Sequence, residues 1–246
     1  MPLNKLLRTE WTSAGYDSRM GSAEVTRPPA PHLIRVYHLT SAVHGIGAIA
    51  LQRLKVSRLS DLNDPFEFLG LMWRDLRLRS KVQALKDEVG ADTGLLCFSE
   101  NWINPVLWSH YADKHRGVCL GFNVVRSSAR PVTYQATRIP SKAVIPIHAS
   151  AALEEKLLFT KFEHWRYESE RCVRVPLSKA LTEGSLHFKP FGTDLALAEV
   201  ILGDACTLSL DAVRSLVSSI EPSAVTFRAR LAGKSYNVVP DGHSVP

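Results

Sequence analysis

The residues of this chain that are best suited to chemistry are carboxylates in unusual company. In HWRYESERCVRV (164–175), Glu168 and Glu170 stand two apart, flanked by Arg166 and Arg174. On a strand, a spacing of two puts both acids on one face. Two readings stay open. The pair belongs either to an exposed face laced with weak ion pairs, or to a site that a sheet holds rigidly. In LALAEVIL (195–202), Glu199 would share a strand face with Leu195, Leu197 and Ile201. A carboxylate on an apolar face must be paired or serve a purpose. Were the segment helical, Glu199 would face solvent and the argument would lapse.

Other motifs carry less. His110 and His115 are five apart, about 140° on a helix, so their imidazoles do not converge on a metal as the i, i+4 pair of H-E-x-x-H does. No cysteine pair has zinc-ligand spacing, and no metal site is expected. GIGAIA (45–50) has the letters of a dinucleotide fingerprint. Six residues separate it from the preceding strand, where the fingerprint needs its first glycine at the strand end. NDPFE (63–67) fits a helix start, with Asp64 as N-cap, Pro65 first and Glu67 third. Capping leaves Asn63 unexplained.

The elements that would position these residues alternate along the chain. Strands are expected at 33–38, 54–59, 94–99, 118–124, 165–175 and 195–202. Helices are expected from Ser41, from Asp64 to Gly90, from Asn104 to near Gly117, over 150–162 and over 210–220. In the third of these, Leu107, Trp108 and Tyr111 share a face. A hairpin turned around Gly233 and Lys234 closes the chain over 225–239. Hairpins mixed with non-repeating helices predict an α+β fold with a mostly antiparallel sheet and several short helices. Residues 1–31 read as a polar arm with a Pro-rich linker, ahead of one domain over 32–246.

Composition excludes some classes. No apolar run reaches the length of a membrane span, and the N-terminus lacks the apolar stretch of a secretion signal. The four cysteines, Cys97, Cys119, Cys172 and Cys206, are far apart and mostly among apolar neighbours. They read as reduced core thiols of a cytoplasmic protein. The net charge of +6 is modest. The basic helix with Arg74, Arg77, Arg79, Lys81 and Lys86 is interleaved with Asp75, Asp87 and Glu88, which favours a solvated face over a nucleic-acid surface.

The succession NDPFE (63–67), CFSE (97–100), LWSHYADKHRGVCLGF (107–122), WRYESER (165–171) and EVILG (199–203) resembles the bacterial domain of unknown function (DUF) 2971 family over about residues 35–240. A second resemblance concerns mechanism. RVYHLTS (35–41) looks like the first strand of ADP-ribosyltransferase-type domains, whose NAD site pairs His and Tyr with a late, strand-borne Glu. It implies His38 on the nicotinamide ribose, Tyr111 stacked on nicotinamide, and Glu170 on the ribose 2′-hydroxyl, with Glu199 as the alternative late glutamate. Around them stand Glu168, Asn63, Ser99, Trp108 and Arg171. The resulting expectation is an NAD-consuming enzyme, transferring ADP-ribose or hydrolysing NAD as a toxin or phage-defence effector, with NAD as substrate and no bound cofactor. The alternatives are a non-enzymatic binding domain and, third, nucleic-acid binding or nuclease activity.

Overall fold

A computed structural model describes residues 27–73, 75–140 and 151–245. In chain order the elements are β1 (Leu33–Thr40), α1 (Ala42–Ala50), β2 (Arg53–Arg58), α2 (Leu76–Asp92), β3 (Thr93–Ser99), α3 (Pro105–Tyr111), β4 (Val118–Val125), β5 (Ala129–Pro131), β6 (Thr133–Gln135), α4 (Ala151–Leu158), β7 (Thr160–Phe162), β8 (Glu170–Pro176), β9 (Leu181–Glu183), β10 (Leu186–Pro190), β11 (Leu195–Leu202), α5 (Leu210–Ile220), β12 (Val225–Leu231) and β13 (Val238–Pro240). The fold is α+β. A mixed, mostly antiparallel sheet of 11 strands runs β13-β12-β11-β4-β1-β3-β2-β10-β9, with β8 on β3 and β5 on β8. Only β11 and β12 pair in parallel within it, while β6 and β7 form a small parallel pair apart. No helix among the described residues is long and apolar enough to cross a membrane.

Alternation along the strands sorts side chains into clusters on opposite faces. Leu120, Phe122 and Val124 of β4 join Val36, Leu96 and Phe98 on the face that packs with Ile49 of α1 and with Val213 and Val217 of α5. The opposite face is divided. Leu95 and Cys172 pack there with α2 and α4, whereas Cys119, Ile201 and Phe227 pack with Leu107 and Trp108 of α3. β1 and β2 share one edge of β3. β1 meets it only at Tyr37↔Ser99, and β2 only at Ser57↔Leu95 and Arg58↔Gly94. Between those points the strands part, and the seam between the two clusters opens there as a cleft.

Several local expectations fail for identifiable reasons. NDPFE starts no helix. Asp64 caps a tight turn, its Oδ1 accepting from Phe66 N at 2.9 Å, and Phe68 then turns left-handed at φ 63°. The helix begins twelve residues after Asp64, capped by Asp75 Oδ1 at 2.7 Å from Leu78 N. The expected helix over 150–162 spans Ala151–Leu158 and gives way to β7. Ser150, and the arm through residue 26, lie outside the described residues. Residues 163–168 form a 3-10 turn, so the strand expected over 165–175 starts only at Glu170, after Ser169 at φ 44°. A bulge between Leu197 and Glu199 also changes the company of Glu199. Leu195 and Leu197 join the face of Val200 and Leu202, leaving Glu199 with Ile201. The GIGAIA glycines lie inside α1, where Gly45 lets the helix close on Val118.

Two close backbone approaches, at Gly117 and Gly203, fix the loop after α3. A Cβ on Gly117 would lie 2.1 Å from the carbonyl oxygen of Thr40. Gly117→Ala is therefore expected to destabilise by at least ~1–3 kcal/mol, the usual cost of overpacking, as a lower urea midpoint. An unchanged midpoint would contradict this packing.

Candidate functional site

The cleft between β1 and β3 encloses about 260 Å3. Its walls come from β1 (Tyr37, His38), β3 (Cys97, Ser99), α3 (Tyr111), the turn before α2 (Asn63), β7 (Lys161) and the segment leading into β8 (Glu168, Glu170). The parted strands explain the place of His38. Its Nδ1 donates to the Cys97 carbonyl at 3.3 Å, where the neighbouring strand makes no ladder bond. Burial lowers its pKa, so the imidazole is neutral and Nε2 remains an acceptor.

Lys161 organises the floor. Its ammonium, with the side chain 4% exposed, lies 2.7 Å from Glu170 Oε2, 2.9 Å from Glu168 Oε2 and 3.7 Å from Glu67 Oε2. The Trp165 ring lies 5.4 Å from Nζ. A chain of donors completes the cluster. Asn63 Nδ2 donates to the Tyr111 hydroxyl at 2.9 Å, Tyr111 donates to Glu168 Oε1, and Cys172 Sγ donates to Glu170 Oε1 at 3.3 Å. Each residue is placed by a local device. Asn104 caps α3 through Val106 N at 2.9 Å and reaches Tyr167 O at 3.2 Å, tying the helix that carries Tyr111 to the turn that carries Glu168. Tyr134 Oη accepts from Glu170 N at 2.8 Å.

One ammonium cannot balance three ionised carboxylates in a dry interior. Burial pushes the Glu67 carboxyl up to about 8 against the pull of Lys161, with Glu170, Asp64 and Glu168 adding to the rise. Glu168 also rises, through burial first and then the charge of Glu170, again opposed by Lys161. Burial also raises the Tyr111 hydroxyl, which Glu168 holds in its protonated, donating form. At neutral pH Glu67 is therefore mostly a neutral acid.

Of the residues singled out in the sequence, His38, Tyr111, Glu170, Glu168, Asn63 and Ser99 come together on this cleft. Three do not line it. Glu199 pairs with Arg35 and accepts from the Tyr37 hydroxyl, so it reaches the cleft only through Tyr37. Trp108 is fully buried, its Nε1 donating to Trp102 O at 2.6 Å and its ring stacked on His115. Arg171 points to the other face of β8, where it holds Glu100 at 2.6 Å and Ala129 O at 2.9 Å. Sequence reasoning missed Lys161, Tyr37 and the buried role of Glu67. Glu199 alone stood among apolar residues, and neither Glu67 nor the Arg-flanked pair Glu168 and Glu170 carried a local sign of burial. Among the described residues, the one group of possible metal ligands is Cys97, Cys172 and Glu170. Lys161, at hydrogen-bonding distance from that carboxylate, opposes a second cation there. No family model, no curated protein and no solved structure matches this chain.

Because Glu67 holds its proton more tightly in the fold than in the unfolded chain, its contribution to stability is full below about 4.5 and lost as pH rises toward about 8. Glu67→Gln should remove that part of the slope. Urea unfolding at the two ends of this window should show the variant gaining on the wild type as pH rises. A constant difference would mean that Glu67 is not the group that titrates.

Proposed function

We propose that the chain cleaves the nicotinamide–ribose bond of NAD, passing ADP-ribose to water or to an acceptor. One observation carries this reading: His38, Tyr111 and Glu170, from three distant parts of the sequence, line one cleft. The bond breaks toward an oxocarbenium-like sugar, so the transition state gains positive charge next to whatever carboxylate faces it. The leaving nicotinamide departs neutral and needs no proton.

The roles follow from the contacts. Glu170 supplies the negative charge, and Lys161 holds that carboxylate in one place while leaving the cluster net anionic. His38, neutral and accepting through Nε2, suits a ribose hydroxyl. Tyr111, fixed by Asn63 and Glu168, offers a ring face to the departing base. At about 260 Å3 the cleft lies just below the roughly 300–1,000 Å3 of ordinary ligand pockets. It has room for a nucleoside-sized part of the substrate, and the remainder would lie outside. The reading extends the resemblance to ADP-ribosyltransferase-type domains, and a toxin or phage-defence effector is the setting proposed for it.

A second reading is favoured by a different observation. Lys161, Glu168, Glu170 and Tyr111 satisfy one another internally, as the polar core of a binding domain would.

Nicotinamide release from NAD by the purified protein separates the two. Release is expected from the wild type, with kcat reduced on the order of 10²-fold or more in Glu170→Gln, the scale of losing one electrostatic contact to a developing charge. Glu199→Gln should keep kcat within a few-fold per folded molecule. Absence of release, together with no calorimetric NAD binding at millimolar concentration, would leave the binding reading in place.

A further inference from the structure

Cys97 and Cys172 are direct partners across β3 and β8. Their sulfurs lie 3.5 Å apart in thiol form. Directly opposed residues of an antiparallel pair have Cα atoms about 4.5–5.5 Å apart, inside the 4.4–6.8 Å range of disulfides. Only a short side-chain rotation separates this pair from a bond. The two thiols also differ in access. Cys97 is partly exposed and lines the cleft, whereas Cys172 is buried behind it. Cys119 and Cys206 are buried elsewhere and have no sulfur partner among the described residues.

We propose that Cys97 and Cys172 form an oxidation site, in which a small hydroperoxide entering the cleft converts the pair to a disulfide. The Cys97 thiolate attacks one peroxide oxygen, the O–O bond breaks, and the departing oxygen leaves as water, or as an alcohol from an alkyl peroxide. Cys97 is then a sulfenic acid. The Cys172 sulfur attacks it, the S–O bond breaks, and the hydroxyl leaves as a second water. The two thiol protons end in those products, and two electrons pass from the sulfurs to the peroxide. Cys97 carries the first step because it faces the cleft, and Cys172 resolves it. The hydrogen bond between the two sulfurs lowers Cys97 and raises Cys172, and burial with the nearby Glu170 leaves both above the ordinary thiol range, so the reaction is one of sustained exposure and not of rapid peroxide removal.

The product alters the cleft floor. The Cys172 S–H ceases to donate to Glu170 Oε1, and β3 and β8 draw together beside the carbonyl that holds His38. This inference concerns the thiols alone and does not depend on the proposed NAD chemistry.

The test is to treat the folded wild-type protein with hydrogen peroxide, denature it, alkylate the free thiols and map the digest by mass. The expected result is one disulfide-linked peptide pair containing Cys97 and Cys172, reversed by dithiothreitol, with Cys119 and Cys206 alkylated. In Cys172→Ser, confirmed folded by circular dichroism, dimedone should label Cys97. Alkylation of all four cysteines, or over-oxidation of Cys97 in the wild type without a disulfide, would overturn the proposal. So would a purified protein that retains one equivalent of a thiophilic metal and keeps both thiols protected until a chelator is added, which would make the trio with Glu170 a metal site. Nicotinamide release, measured separately, is not needed for any of these outcomes.

Discussion

Everything around the cleft depends on one buried ammonium. Lys161 gathers carboxylates from three places in the sequence: the turn after β2 (Glu67), the 3-10 segment (Glu168) and the start of β8 (Glu170). At about 3 Å and an effective dielectric near 20, each close pair attracts by about 5–6 kcal/mol. Removing each ion from water costs several kcal/mol. The sum comes near to balance, so the cluster contributes little net stability. Its effect is on position: a turn, a 3-10 segment and a strand that share no ladder along their length are brought to one point. The protonation of Glu67 belongs to the same balance, because a second uncompensated charge would tip it.

The second constraint is the splitting of the sheet at β3. A strand whose one edge is shared by two others has a gap wherever neither reaches it. Here the gap covers residues 96–98, where the His38 side chain takes the place of a ladder bond. The loop after α3 is held with similar economy. Asp113, Lys114 and His115 all lie at positive φ, a conformation that costs non-glycine residues energy unless the surroundings impose it. Trp108 O accepts from both Ala112 N and His115 N, and His115 O approaches Gly203 too closely for any side chain there. Stacking of His115 on Trp108 completes the lock. Trp108 thus serves the site from within the core, by fixing the end of the helix that presents Tyr111.

Much of this was legible in the sequence. Short apolar, β-branched runs marked β1, β3, β4 and β11, because one or both of their faces are buried. Ser41 and Asn104 cap their helices as their types predict. The failures came where a distant partner overruled a local rule. Glu67 has the letters of a capping residue, yet Lys161, 94 positions later in the sequence, takes its carboxylate into the interior. Alternation in WRYESER suggested a continuous strand, but Ser169 at positive φ breaks it between the two acids. The acids still converge, for a reason other than a shared strand face. Glu199 was conspicuous as a carboxylate among apolar residues, and Arg35 with Tyr37 accounts for it. Only the bulge, invisible in the letters, decided its face. Lys161 itself carried no local mark. Three acids, once buried, require a cation, and nothing short of the fold could choose which.

The same contacts bear on which chemistry the cleft can support. Glu170 is held 2.7 Å from an ammonium and faces a thiol donor, so its carboxylate is fixed in place before any substrate arrives. Stabilising a developing cation demands a charge that is present and oriented before the reaction. Glu168 differs: burial raises its carboxyl, against the pull of Lys161 and of the Tyr111 hydroxyl that donates to it. Under the proposed reaction the two acids divide the work. Glu170 acts through its fixed charge, and Glu168, whose carboxyl is raised, is the group to take a proton from an incoming nucleophile.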